Sequence, residues 1–174
     1  MAPDIDIHST ATAVGGKLML DAQNRPVTIL LVDDDPDCRL LIKDAISECR
    51  VQNEILEAAN GQEALDLLHR RGKYENCAEP GLIYMDIEMP LMDGLTALEQ
   101  IKADPQLRQI PVVMMTGVSD AAHMRRAAVL GANSYTLKPA NAEQFLNTVL
   151  ASTNYWLSVH QSPQNRLPQA VCRR

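Results

Sequence analysis

The sequence lacks the features of several common classes of protein. Its 4 cysteines include no CxxC pair, which argues against a zinc site and favours reduced thiols. No apolar run approaches the roughly 20 residues that cross a bilayer. The N-terminus carries Asp4 and Asp6 without the basic segment that opens a secretory signal. The net charge of −6 disfavours nucleic acid as a partner. We therefore expect a cytoplasmic protein that binds neither membranes nor nucleic acids.

The remaining composition is that of an ordinary globular domain. The chain has 174 residues, of which 46% are hydrophobic and 22% are charged, and this length supports a single domain with a sizeable core. We predict a flexible arm over residues 1–26, a folded domain over residues 27–160 and a polar tail over residues 161–174. The sequence contains no internal repeat.

Short apolar runs alternate with helical patterns from residue 27 onward. Five strands are predicted to end at Asp33, Ala58, Asp86, Thr116 and Lys138. The helices that follow them are predicted to reach Ile46, Arg71, Ala103, Gly131 and Val159. Their predicted N-caps are Asp35, Asn60, Asp93, Ser119 and Asn141. This alternation predicts a doubly wound α/β fold with a five-stranded parallel sheet, for which 2-1-3-4-5 is a common strand order.

Polar side chains follow four of the predicted strands. Asp33 and Asp34 come at the end of the first, Asp86 of the third, Thr116 of the fourth and Lys138 of the fifth. Ligands of open α/β sheets bind beyond the carboxyl ends of the strands. Carboxylates hold hard cations through oxygen, and a hydroxyl with an ammonium suits a phosphoryl group. These residues therefore predict one cleft for phosphoryl transfer.

The acids suggest both a cation and a nucleophile. Three carboxylates in a small volume repel one another, and Mg²⁺ would relieve that repulsion. Asp86 could act as a nucleophile and form an acyl phosphate. Structural roles stay open at each position, because Asp33–Asp35 could simply cap a helix, Thr116 could be an ordinary strand residue and Lys138 a surface lysine.

The ordered set of motifs resembles the receiver domain of two-component response regulators. The motifs are Val32-Asp33-Asp34-Asp35, Met85-Asp86, Met89-Pro90, Asp93-Gly94, Met115-Thr116-Gly117 and Lys138-Pro139. The resemblance covers about residues 27–155 and implies a flavodoxin-like receiver fold. It also implies a signalling phosphoacceptor that catalyses its own phosphorylation and dephosphorylation, rather than an enzyme with a separate substrate.

By position, the resemblance assigns a role to each site residue. Asp86 would accept a phosphoryl group from a phosphohistidine on a sensor histidine kinase. Asp34 and Asp86 would bind Mg²⁺ directly, with Asp33 assisting, often through water. The remaining roles implied are the Glu88 backbone carbonyl as a metal ligand, Thr116 as a phosphoryl-oxygen ligand and switch, Lys138 as a salt-bridge partner and Tyr135 as the switch aromatic.

More narrowly, the chain resembles stand-alone regulators of phytochrome-type histidine kinases. The matching segments are residues 72–76, Asp104-Pro105, Ile110-Pro111 and residues 154–157. That group implies a homodimer formed by the fourth helix, fifth strand and fifth helix, with the Tyr155–Trp156 region added. No DNA-binding or enzymatic domain fits after residue 155, so output is expected through a protein or phosphotransfer partner.

Two other functions stay open on the sequence alone. One is a Mg²⁺-dependent phosphohydrolase with an aspartyl nucleophile, in which Asp33-x-Asp35 would be the DxD motif; Pro36 fits that loop poorly. The other is an adaptor that acts without accepting phosphate, although every motif position is filled.

Overall fold

The computed structural model describes four stretches of the chain: residues 27–47, 53–117, 121–138 and 140–156. The predicted arm, the predicted cap at Ser119 and the polar tail lie outside the described residues. Among the helices of the described stretches, none is both long and apolar enough to cross a membrane.

The strands of the described residues form one parallel sheet. They are β1 (Thr28–Val32), β2 (Ile55–Ala58), β3 (Pro80–Asp86), β4 (Val112–Thr116) and β5 (Ser134–Leu137). Their order is β2-β1-β3-β4-β5 and every neighbouring pair is parallel. The predicted doubly wound α/β architecture and its strand order are confirmed.

Helices alternate with these strands along the chain. They are α1 (Pro36–Ser47), α2 (Gly61–Leu68), α3 (Gly94–Ala103), α4 (Ala121–Val129) and α5 (Ala142–Asn154). The prediction for α2 was wrong by three residues at its C-terminal end, because Arg70 at φ 54° leaves the right-handed helical region before Arg71. The strands β1 and β5 each stop one residue before the predicted Asp33 and Lys138. The predicted end of the last helix at Val159 lies outside the described residues.

Alternation along the strands divides the core between the two faces of the sheet. Leu30 and Val32 of β1 belong to a buried cluster with residues of α2 and α3. Their neighbours Ile29 and Leu31 belong to a second buried cluster, with residues of α1 and α5. Successive side chains of a strand point to opposite faces, so each central strand is buried on both sides.

A hydroxyl network ties α5 to the centre of the sheet. Tyr84 of β3 is 1% exposed, and its hydroxyl lies 3.0 Å from Ser152 Oγ and 2.9 Å from Thr153 Oγ1. One turn later Trp156 packs into the same buried cluster and is 6% exposed. Trp156 therefore covers the core of its own chain, which corrects its predicted use as an interface anchor. Tyr155 stacks edge-on against it and is 50% exposed.

A capping box opens α2 as predicted and also holds the loop that follows the helix. The Asn60 side chain accepts a hydrogen bond from Glu63 N at 2.9 Å, and Glu63 accepts one in return from Ala59 N at 2.8 Å. The other oxygen of Glu63 accepts the Tyr74 hydroxyl and lies 3.0 Å from Lys73 Nζ. These hydrogen bonds, the one from Tyr74 first, lower the pKa of Glu63 to about 2.

Glu63→Gln should therefore lose stability in a pH-dependent way. The folded-state pKa of Glu63 lies below the usual 4.5, so its contribution is present above pH 4.5 and is lost as pH falls toward 2. We expect the variant to be about 1 kcal/mol less stable than wild type at pH 7, after allowance for solvent screening. Urea unfolding at pH 7 and pH 3 checks this, and a gap of equal size at both pH values would contradict it.

Candidate functional site

The register of the sheet brings the predicted acids together. Val32 pairs with Met85 across β1 and β3, so Asp33 and Asp86, the next residues, emerge side by side. Oxygen atoms of Asp33, Asp34 and Asp86 lie within 4.8 Å of one another. Asp33 and Asp86 are 3% and 8% exposed, whereas Asp34 is exposed to solvent. The strand ends therefore form a small acidic cleft with one open side.

The Asp33 carboxylate is already hydrogen-bonded at both oxygens. Its Oδ1 accepts Asp35 N at 3.0 Å, and its Oδ2 lies 2.6 Å from Lys138 Nζ. These contacts leave each oxygen one lone pair for a further partner, such as a water or a metal ion. The exposed Asp34 lies at the open side of the cleft.

Lys138 bridges two of the buried acids. Its Nζ lies 3.0 Å from Asp86 Oδ1 as well as 2.6 Å from Asp33 Oδ2. Burial of the ammonium acts to lower the pKa of Lys138, but the hydrogen bond to Asp33 and the charge of Asp86 outweigh it and raise the pKa above its usual value. Lys138 therefore stays charged at neutral pH. A salt bridge of Lys138 was predicted, and the structure gives it two partners, of which Asp33 is the nearer.

The surroundings of Asp86 disfavour its charged form, whereas those of Lys138 favour the charged form. Burial raises the pKa of the Asp86 carboxyl to about 6, and Lys138 limits the rise while the charge of Asp33 adds to it. The group is thus mainly ionised at neutral pH, as a nucleophile must be. A divalent cation beside Asp86 would lower the pKa of its carboxyl.

The donor set fits a hard divalent cation. Within the described residues the carboxylates of Asp33, Asp34 and Asp86 converge, and the ammonium of Lys138 contacts two of them. Carboxylate oxygens that converge within a few ångströms are the ligands that Mg²⁺ and similar ions take, with water and phosphate oxygens completing the shell. Asp34 and Asp86 would hold such an ion.

The other predicted residues flank the acids. Thr116 ends β4 and is 0% exposed, and its carbonyl accepts Lys138 N at 2.7 Å. Tyr135 of β5 is partly buried and packs on the cluster shared by α2 and α3. Glu88 is exposed, two residues past Asp86. The sheet therefore brings Thr116 next to the backbone of Lys138, with Glu88 in the loop that leaves Asp86.

Comparison with known proteins agrees with this geometry. Residues 29–150 match the family model described as the response regulator receiver domain. The chain belongs to the response regulator receiver family. It is 30% identical over 145 residues to the response regulator Rcp1 of Synechocystis sp., a match that covers 83% of this chain and 99% of Rcp1.

Solved structures of similar receivers superimpose closely. The phosphorylated cyanobacterial phytochrome response regulator RcpA matches with a TM-score of 0.76 and 33% identity, over 79% of this chain and 98% of RcpA. The Mn²⁺-bound form of Rcp1 matches with a TM-score of 0.76 and 30% identity, over 79% of this chain and 99% of Rcp1. The fold of this receiver is therefore that of single-domain regulators, over almost their whole length.

Two residues of α1 contact the site and were not among the predicted site residues. Arg39 donates from Nη1 to the backbone carbonyl of Asp33. The Cys38 thiol lies beside Asp33 and Lys138, and burial together with the hydrogen bond to Asp33 raises its pKa to about 12, so it stays protonated. Both lie in the first turns of the helix that Asp35 caps, with Asp37 N 2.9 Å from Asp35 Oδ1. The sequence offered one signal for them, which is their place near the start of the first helix, shortly after Asp33 and Asp34.

The loop after Asp86 is fixed by a close backbone approach. Gly94 N donates to Ile87 O at 2.9 Å, and a Cβ on Gly94 would lie 2.0 Å from the carbonyl oxygen of Asp86. The residue before it, Asp93, caps α3 by accepting Thr96 N at 2.8 Å. The loop therefore returns to the end of β3 at a position where only glycine fits.

Gly94→Ala should strain the backbone at Asp86. The clash involves a main-chain oxygen that cannot rotate away, so we expect a loss of at least about 2 kcal/mol in the free energy of unfolding. Gly117→Ala is the matched control, because a Cβ on Gly117 meets nothing within 4 Å, and it should change stability by less than about 0.5 kcal/mol. Urea unfolding measures both, and equal stability of the two variants would refute the argument.

Proposed function

We propose that this receiver accepts a phosphoryl group on Asp86 from the phosphohistidine of a sensor histidine kinase, in a Mg²⁺-dependent reaction. The observation that carries the proposal is the ionised Asp86 carboxylate, 3.0 Å from Lys138 Nζ and clustered with Asp33 and Asp34. An oxygen of Asp86 forms the new bond to phosphorus while the phosphorus–nitrogen bond breaks. The donor imidazole leaves with that electron pair.

The residues of the cleft stabilise the transferred group by position and charge. Phosphoryl transfer depends mainly on in-line placement and on neutralising the equatorial oxygens. Bound Mg²⁺ would supply part of that neutralisation. Lys138 supplies the remainder from the protein, and Asp34 and Asp86 would hold the ion directly. Asp33 would assist through water while its two oxygens accept Asp35 N and Lys138 Nζ.

Thr116 and Tyr135 form the proposed switch. The buried Thr116 hydroxyl would bind a phosphoryl oxygen once Asp86 is modified, as the added charge attracts hydrogen-bond donors. The partly buried Tyr135 would then occupy the space that Thr116 leaves. The Glu88 carbonyl is the proposed third metal ligand of the chain.

The partner class follows from the relatives. The chain covers 98% of RcpA, described as a cyanobacterial phytochrome response regulator. By this similarity the donor is proposed to be a phytochrome-type sensor histidine kinase of the cytoplasm. The signal would pass to a downstream protein or phosphotransfer partner, and the protein would act on no separate substrate.

The position of Asp35 weighs against the hydrolase alternative. That reading requires Asp33 and Asp35 to act as a DxD pair. The acids that cluster in the described residues are Asp33, Asp34 and Asp86, while Asp35 is exposed and accepts Asp37 N as the cap of α1.

A homodimer through α4, β5 and α5 is the proposed assembly. The face exposes large apolar side chains: Met124 at 43%, Val129 at 87%, Leu137 at 42% and Tyr155 at 50%. Aliphatic and aromatic groups of this kind form the centre of protein interfaces. Tyr155 takes the anchoring role first predicted for the pair with Trp156.

Phosphate uptake tests the proposed chemistry. Wild type with a small acyl phosphate and Mg²⁺ should gain acid-labile phosphate in a one-to-one ratio, and chelation of Mg²⁺ should abolish the gain. Asp86→Asn should gain none, since an amide is not a nucleophile here. Asp93→Asn is the control, because asparagine caps a helix as well as aspartate does, and it should label normally.

Two results would contradict this assignment. Labelling of Asp86→Asn at the wild-type level would exclude Asp86 as the acceptor. Steady release of phosphate from phosphomonoesters, without labelled protein, would favour the hydrolase.

The proposed dimer predicts that a charge placed on the exposed face of α4 weakens dimerisation, whereas a charge placed elsewhere does not. Val129→Glu places a carboxylate on the exposed apolar face of α4 and should weaken dimerisation by about 2 kcal/mol, or roughly 30-fold. Leu40→Glu is the control, because Leu40 is 53% exposed on α1, which is not one of the three elements proposed to form the interface. Sedimentation velocity over a micromolar range measures both variants, and a wild type that stays monomeric with and without phosphodonor would exclude the dimer.

A further inference from the structure

Arg39 joins the acidic loop to the edge of the sheet. Its Nη1 donates to the backbone carbonyl of Asp33, and its Nε donates to Glu57 Oε2 on β2 at 2.9 Å. The side chain is 16% exposed, less than the 37% of Glu57. One planar guanidinium thus holds a main-chain oxygen and a carboxylate at the same time, which its rigid fork of donors allows.

The carbonyl that Arg39 holds belongs to the peptide between Asp33 and Asp34. The amide of Asp33 is fixed separately, by donation to Ala58 O at 3.1 Å. Its side chain is fixed by Asp35 N and Lys138 Nζ. Arg39 therefore constrains the chain where it enters the exposed Asp34, and the hydrogen bond from Asp35 N constrains it where it leaves.

We propose that Arg39 is a positioning residue for the cation site. By orienting the Asp33–Asp34 peptide, it aims the Asp34 carboxylate at the position where Asp86 completes the site. Outer contacts of this kind typically change metal affinity 10- to 100-fold. The inference rests on one part of the proposed function, which is that a divalent cation binds at Asp34 and Asp86.

Charge and position predict opposite effects at Arg39. A guanidinium near a cation repels it, so loss of the charge alone would strengthen metal binding. Loss of the orientation would weaken it. The sign of the change in affinity therefore distinguishes the two roles.

Lys43 provides a matched control on the same helix. It lies one turn after Arg39 and contacts the other oxygen of Glu57, Oε1, at 2.7 Å. It carries the same charge, and within the described residues its ion pair goes to Glu57 of β2 rather than to the Asp33 carbonyl. Lys43→Ala therefore removes a positive charge and a Glu57 contact while leaving the acidic loop in place.

Mn²⁺ titration followed by electron paramagnetic resonance of the free ion tests the proposal. We expect Arg39→Ala to bind Mn²⁺ about 10-fold more weakly than wild type. Arg39→Lys should be similarly weakened, because an ammonium keeps the charge but lacks the fork. Lys43→Ala should bind at least as tightly as wild type. Circular dichroism at the assay temperature establishes that each variant is folded, and Arg39→Lys decides the matter if Arg39→Ala does not fold.

Two outcomes would overturn the proposal. One is Arg39 variants that bind Mn²⁺ as tightly as Lys43→Ala does, and the other is a wild type that binds no Mn²⁺ at all. A wild type that binds Mn²⁺ but takes up no phosphate would instead refute the proposed phosphotransfer, and the affinity series would still decide the role of Arg39.

Discussion

The ammonium of Lys138 lies between two buried carboxylates, and the arrangement of the site depends on it. Asp33 and Asp86 are both almost fully buried, and two like charges so close together repel each other without a shared partner. Lys138 lies 2.6 Å from one and 3.0 Å from the other. It therefore offsets that repulsion and ties the end of β5 to the ends of β1 and β3.

The loops of the cleft are held more firmly than α4. The loop after Asp86 is pinned by the approach of Gly94, and the loop after β1 by Arg39 and the cap at Asp35. In contrast, α4 buries only Ala127 among its residues. Elements with few buried apolar contacts reorganise at low cost. A charge added in the firmly held cleft would therefore change the structure most readily at α4.

Periodicity and motif order were enough to predict the fold and the convergence of Asp33, Asp34, Asp86 and Lys138. Alternating strands and helices, short apolar runs and cap residues such as Asn60 and Asn141 are local signals. The parallel order then places strand ends at one edge, so Asp33, Asp86 and Lys138 had to meet there. Errors arose where a boundary depended on backbone geometry, as at Arg70, whose left-handed conformation ended α2 earlier than its sequence pattern indicated.

What the sequence alone determined is the class of fold and the identity of the acids, threonine and lysine at the strand ends, because these follow from local pattern and strand order. Only the tertiary structure decided which groups share each contact. The bridge from Lys138 to Asp33, the ion pair of Arg39 with Glu57 and the burial of Trp156 join residues far apart in the chain. Such contacts depend on side-chain direction and packing in three dimensions, which no spacing along the sequence specifies.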